Sequence, residues 1–251
     1  MGSTRLPGKV LADVLGQPML SHIIDRLRFA KRVDQVVLAT SAADTDAPIR
    51  AFADKHAIPC FAGSELDVVD RLYGAARQFG ADAIVRITGD CPLADPKMVD
   101  EVVGTYFSDA KALDYVSNVL PRSYPDGLDT EVYPTKTLGR LCEEIADFPA
   151  RESFPIYLWN NKQKFRIANV ASPIDLSALR WTVDYEEDLT FVREVFRRLY
   201  RKGEFFSMPD VLGLMKANPE LAAINAKYVG SVGPPLPPRP GTKKVRLGEP
   251  A

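Results

Sequence analysis

Three short stretches of the chain carry residue types whose spacing can do chemistry on an anionic, phosphate-bearing ligand. The first is Gly2 to Lys9, GSTRLPGK, which packs two glycines, two hydroxyls and two cations into eight residues. Glycines let backbone N–H groups approach an anion, while Arg5 and Lys9 can neutralise phosphate oxygens. It is not a Walker loop, because five residues separate Gly2 from Gly8 and Lys9 is followed by Val10 rather than Ser or Thr. The same composition also suits an exposed turn with ordinary surface cations. The second stretch is Thr88 to Pro92, TGDCP, and the third is Trp181 to Asp188, WTVDYEED. Asp90 and Asp184 each follow an apolar, strand-like run, the place where ligands bind in an open parallel sheet. Mg²⁺ takes one or two protein carboxylates and completes its shell with water and phosphate, so a pairing of Asp90 with Asp184 would make a metal site. Singly, each reads as a turn residue or helix cap. Glu186, Glu187 and Asp188 read as first-turn acids favoured by a helix dipole.

The elements that must position these residues alternate between strand and helix. Pro18 opens an apolar stripe, Met19, Leu20, Ile23, Ile24 and Leu27, at helical spacing. Gln35 to Thr40 reads as a buried strand, Asp46 to Ala57 as a helix and Pro59 to Ala62 as a short strand. Leu66 to Phe79 is helical, Ala83 to Thr88 is the clearest strand, and Asp95 with Pro96 gives a cap and first residue for the next helix. This alternation predicts an α/β fold built on a mostly parallel sheet. Further on, Tyr115 to Asn118, Thr130 to Tyr133, Phe165 to Val170 and Arg180 to Val183 read as strands. Thr137 to Ala146, Glu152 to Trp159 and Glu186 to Arg201 read as helices. The loop Pro121 to Asp129 interrupts the sheet and is expected to line a cleft.

Composition narrows the function classes. The 251 residues are 46% apolar and carry 32 basic against 33 acidic side chains, which supports a globular core and argues against a nucleic-acid binder working through a broad basic face. Cys60, Cys91 and Cys142 have no CxxC spacing, so no zinc site or disulfide framework is suggested, and a cytoplasmic location fits. No apolar run reaches the roughly 20 residues that span a bilayer, and no signal-peptide core is visible at the start. Cys91 reads as a small packing residue, and His22 and His56 as surface positions on helices. Residues 1–228 form the expected folded unit; 229–251, rich in Pro and Gly, reads as a disordered tail whose PPLPPRP run could at most serve an SH3-like partner.

Taken together, GSTRLPGKVL, VVLATS, GSELDVVDRLYGAA, IVRITGDCPLADP, DYVSN with PRSYPDGLDTEV, and LRWTVDYEEDL occur in an order and spacing that resemble the cytidylyltransferase-like family of spore coat polysaccharide protein F, similar to the synthetases that activate acylneuraminate and deoxy-octulosonate sugars with CTP. The resemblance runs from Met1 to Tyr228. It implies a Rossmann-like nucleotidyltransferase fold, CTP and a small sugar as substrates, Mg²⁺ as cofactor and a homodimer, with no nucleic-acid or membrane partner. The implied nucleotide contacts are Gly2, Ser3, Arg5, Lys9, Thr40, Ser41, Arg71 and Gly89. Asp90 and Asp184 are the implied metal ligands, and Arg5, Lys9 and Asp90 the catalytic groups. Asp126, Gly127, Asp129, Glu131 and Arg151 are the implied sugar-side residues, within a sugar-side and dimerisation insertion at about 119–165.

Two features depart from the family pattern. Ser153 stands where a histidine is usual, and the apolar strand ending in arginine that normally precedes the loop has no counterpart here. The first central strand is therefore expected to be missing, leaving an unfilled slot, a substitute strand or a weakened sheet. Two other readings compete with a CMP-transferring enzyme: a nucleotide-binding homologue without turnover, and a metal-dependent glycosyltransferase using Asp44, Thr45 and Asp46 as a DxD motif. The latter triplet is more simply the cap of the next helix.

Overall fold

A computed structural model of the chain describes residues 1–108, 113–146 and 151–230. Behind the first loop lie a hairpin, β1 (Asp13–Val14) with β2 (Gln17–Pro18), and helix α1 (Met19–Leu27). There follow β3 (Leu38–Ser41), α2 (Ala47–Lys55), β4 (Cys60–Gly63), α3 (Val68–Gln78), β5 (Ala83–Arg86) and α4 (Pro96–Ser108). The second half supplies β6 (Tyr115–Ser117), β7 (Glu131–Pro134), α5 (Thr135–Glu144), α6 (Phe154–Asn160), β8 (Ile167–Asn169), α7 (Glu186–Leu199) and α8 (Met208–Ala217). The α/β alternation read from the sequence is the architecture found. Pro96 begins α4 behind Asp95, whose carboxylate accepts the Lys97 N–H at 2.8 Å.

The sheet is divided. β3 and β4 pair in parallel by themselves, while β5, β7, β6 and β8 form a second sheet in that order. β6 and β8 run parallel, and β7 runs antiparallel to both β5 and β6, so the sheet is mixed where its second half returns. No ladder joins β3 to β5, although Val36, Leu38 and Ile87 pack against one apolar cluster built on α1 and α2. The sheet is thus broken between β3 and β5. The run Arg180 to Val183, expected as a strand, is instead an extended connection with one isolated bridge, Asp126 to Arg180. Its N–H groups are taken by loops rather than by a strand: Trp181 donates to the Asp126 carbonyl at 2.6 Å and Val183 to the Asp90 carbonyl at 2.9 Å.

Apolar stripes set the packing as expected, with one correction. His22 is buried at 2% exposure, not at the surface; its ring lies 4.4 Å from that of Phe196, and Nε2 bonds the Val14 carbonyl at 2.8 Å. A histidine flanked by core positions on α1 is carried inward because α7 supplies an aromatic wall. His56 is exposed. Nearly all of the Pro/Gly-rich tail, 231–251, lies outside the described residues.

Candidate active site

The first loop closes on itself before it meets the rest of the chain. Gly8 takes a left-handed φ of 72°, a conformation that glycine adopts at little cost, and its N–H donates to the Met1 carbonyl at 3.4 Å. Ser3 Oγ accepts the Leu6 N–H at 3.3 Å. The N–H groups of Gly2, Ser3, Thr4 and Arg5 meet no acceptor among the described residues, which leaves a run of donors open to an anion.

The turn after β5 and the turn before α7 meet at this loop. Lys9 Nζ lies 3.1 Å from Asp90 Oδ2 and 2.8 Å from Asp184 Oδ1, and it donates to the Val183 carbonyl at 2.7 Å. Arg5 adds a bond to the same Asp184 oxygen at 2.7 Å. Thr88 Oγ1 donates to the other Asp90 oxygen. The Asp90 backbone carbonyl holds the Val183 N–H and, at 3.2 Å, the Thr182 hydroxyl, so two distant motifs are stitched main chain to main chain. Gly89 keeps this turn close to the loop: a Cβ there would sit 3.1 Å from Val10 Cγ1.

Charge follows geometry. Burial pushes the Asp184 carboxyl up, but hydrogen bonds from Lys9 and Arg5 outweigh it and hold the group down at about 2. Burial alone would lower the Lys9 pKa; the carboxylates of Asp90 and Asp184 reverse that and raise it. The bond to Asp184 likewise raises Arg5. Cys91 is buried and its thiol is pushed well up by desolvation, as befits a packing residue.

Beside this cluster stands the loop before β7. Arg122 grips Asp129 with both terminal guanidinium nitrogens and reaches Asp126 at 3.5 Å. Desolvation raises the Asp126 carboxyl to about 6. Gly127, at φ +111°, admits no side chain, since a Cβ would lie 2.4 Å from the Thr182 nitrogen. Its contribution is the close approach of two backbones. Arg5, Lys9, Gly89, Asp90, Asp126, Gly127, Asp129 and Asp184 are therefore brought to one cleft.

Other residues fall elsewhere. Glu131 opens β7 with its side chain buried, accepting from the Tyr115 hydroxyl at 2.6 Å, the Tyr133 hydroxyl at 2.8 Å and Arg86. Arg151 is spent on Asp67 and on the carbonyls of Cys142 and Ile145. Arg71 donates to the Ser64 carbonyl at 2.6 Å, while its buried Nε has no partner among the described residues. Thr40 and Ser41 turn their hydroxyls to Asp46, at 2.9 and 2.7 Å. Asp46 also receives the Met1 amine, so its carboxylate is not the helix cap the sequence suggested. Asp184 is likewise not the cap of α7; Tyr185 holds that position.

Sequence reasoning missed Arg180, Arg122 and Asn225, and it undervalued Asp188. Arg180, Asp184 and Asp188 recur at four-residue intervals, a signal that was available. Asn225 carried none.

Among the described residues no three His, Cys, Asp or Glu side chains gather as a metal cluster, and Asp90 and Asp184 share Lys9. A pair of oxygen donors, one of them 29% open to solvent, suits Mg²⁺, which asks for no more than one or two carboxylates.

With this geometry in hand, comparison with known proteins is decisive. Residues 1–150 match the cytidylyltransferase family. The chain belongs to that family. This cytidylyltransferase is 31% identical to a cytidylyltransferase from Leptospira borgpetersenii whose structure superposes with a TM-score of 0.84 over 88% of this chain and 92% of that one. It is 28% identical to the spore coat polysaccharide biosynthesis protein SpsF of Bacillus subtilis over 88% of the chain and 93% of that protein. The 3-deoxy-manno-octulosonate cytidylyltransferase of Nitratidesulfovibrio vulgaris strain DP4 is 42% identical across 43% of each chain. A CTP complex of CMP:2-keto-3-deoxy-manno-octonic acid synthetase shares the fold, with 20% identity and a TM-score of 0.58. As a cytidylyltransferase the chain is a nucleotidyltransferase, and no helix among its described residues is long and apolar enough to cross a membrane.

Proposed function

We propose that this enzyme transfers CMP from CTP to a sugar, a keto-sugar acid or a relative of one, giving a CMP-sugar and pyrophosphate for surface or spore-coat polysaccharide synthesis in the cytoplasm. The observation that carries this reading is Lys9 lying between Asp90 and Asp184, with Arg5 on Asp184 and the open N–H groups of residues 2–5 beside them. Those donors and cations suit a triphosphate. Arg5 and Lys9, both kept charged by their carboxylates, would hold the β- and γ-phosphates and stabilise the charge that builds on departing pyrophosphate. A sugar hydroxyl oxygen forms the new bond to the α-phosphorus, the bridge to the β-phosphate breaks in line, and the hydroxyl proton passes to water. Asp90 and Asp184 would hold Mg²⁺, which when bound supplies polarisation of the α-phosphate. Asp126 and Asp129, fixed by Arg122, face the acceptor side, and 119–165 is assigned to the homodimer contact.

The test is pyrophosphate release from CTP and Mg²⁺ with a panel of keto-sugar acids and sugar phosphates. Release with one acceptor class, and none with ATP or GTP in place of CTP, is the expected result. CTP binding with no release for any acceptor would leave a nucleotide-binding homologue instead.

A further inference from the structure

Behind the cleft lies a buried ionic network in which Arg180, Asp188 and Asn225 carry none of the assigned roles. Arg180, with 2% of its side chain exposed, forks between two acids: Nε donates to Asp188 Oδ1 at 2.9 Å, and Nη2 donates to Asp188 Oδ2 at 2.8 Å and to Asp184 Oδ2 at 3.0 Å. Its third nitrogen reaches Asp126 at 3.4 Å. Asp188 is wholly buried, and its Oδ2 also accepts the N–H groups of Asp184 at 2.9 Å and Tyr185 at 3.0 Å. Asn225 closes the network from the C-terminal segment, donating to Asp188 Oδ1 at 2.9 Å and to the Arg180 carbonyl at 3.0 Å. Beside it, Tyr228 stacks flat on Tyr185 with ring centroids 3.8 Å apart.

Burying a guanidinium and a carboxylate is costly, and a well-packed apolar pair would serve stability as well or better. What this arrangement adds is direction. Asp184 has its Oδ2 fixed from behind by Arg180 while Oδ1 faces Lys9 and Arg5, and its own backbone N–H is pinned by Asp188. Both carboxylate oxygens and the N–H of Asp184 are therefore held. We propose that Arg180, Asp188 and Asn225 are positioning residues that fix Asp184 in the orientation needed for Mg²⁺-dependent CTP binding, with Asn225 making the C-terminal segment part of the site. This rests on the functional reading above, which gives Asp184 to the nucleotide side. Losing a group that orients a metal-binding side chain typically costs about 10–100-fold in metal affinity or activity.

Arg180→Lys and Asn225→Ala test this in the full chain, the second as a milder change should the first fail to fold. Two measurements are made: amide hydrogen exchange in the free protein, and calorimetric CTP binding with and without Mg²⁺. In both variants the amides of Asp184 and Tyr185 are expected to exchange about tenfold faster while those of β5 keep their protection. The Mg²⁺-dependent part of CTP binding should weaken about 10–100-fold, with Mg²⁺-free binding unchanged. Unmoved exchange at Asp184 and Tyr185 would overturn the proposal. So would faster exchange with Mg²⁺-dependent binding intact, because the network would then serve the fold alone. If the wild-type protein binds no CTP, the functional reading falls, and the exchange measurement still decides whether the clamp exists.

Discussion

Two groups of buried charge, built from the same residue types, behave as opposites. At the first loop, Lys9 bridges Asp90 and Asp184, yet Asp90 keeps 29% and Arg5 keeps 39% of its side chain open to solvent. On β7, Glu131 collects Arg86, Tyr115 and Tyr133 and retains 5% exposure. The first group stands beside a loop whose N–H groups at residues 2–5 are unspent; the second is enclosed by strands and aromatic rings, with Tyr115 stacked on Tyr133 at 4.9 Å. Carboxylate and cation together do not make a site. A site needs donors and acceptors left over, and the β7 group has spent the acceptors of Glu131 on the fold.

The sharpest way to break that contrast is to damage each group and ask which property fails. Glu131→Gln is expected to cost roughly 3–5 kcal/mol of stability by leaving Arg86 buried without its counter-ion, with CTP affinity unchanged in the molecules that fold. Urea unfolding and calorimetry check the two halves of that statement; a large loss of CTP affinity at little cost in stability would place Glu131 in the site after all. Lys9→Ala is expected to do the reverse, lowering kcat/KM for pyrophosphate release by about 10²–10³-fold through the loss of one preorganised cation. Its unfolding midpoint should move much less than that of Glu131→Gln.

Gly127→Ala sits at the seam between the β7 loop and the segment before α7. Holding a side chain at φ +111° with a Cβ 2.4 Å from the Thr182 nitrogen is expected to cost about 1–3 kcal/mol and to loosen the cleft, so stability and CTP affinity should fall together. The smallest effect is one of pH. Asp126 is raised to about 6, so between about pH 4 and 6 the folded state binds more protons than the unfolded state. Its contribution to stability therefore declines as pH rises through that window. Asp184, held at about 2, works in the other direction: its contribution is full above the ordinary carboxylate range and is lost as pH falls toward 2. Asp126→Asn should flatten the first slope in thermal unfolding measured across pH and leave the acid-side loss in place.

Much of the fold was legible because periodicity is a local property. The stripe Met19, Leu20, Ile23 and Ile24 is buried as one face of α1, and the Asp95 and Pro96 pair starts α4. Where the reading failed, the partner lay elsewhere in the chain. Val183 looks like a strand residue, but its N–H finds the Asp90 carbonyl rather than a neighbouring strand. His22 looked external until the aromatic face of α7 enclosed it. Asp46 looked like a cap and instead ties Thr40, Ser41 and the Met1 amine.

By itself the sequence determined which side chains were available for phosphate chemistry and which runs had to be helix or strand, because residue type and spacing are written along the chain. The tertiary structure alone decided that Lys9 would lie between Asp90 and Asp184, that Glu131 and Arg151 would be consumed by the fold, and that Asn225 would reach Asp188. The reason is that a charged group's role depends on which donors and acceptors remain unspent around it, and that is settled only when distant segments have packed.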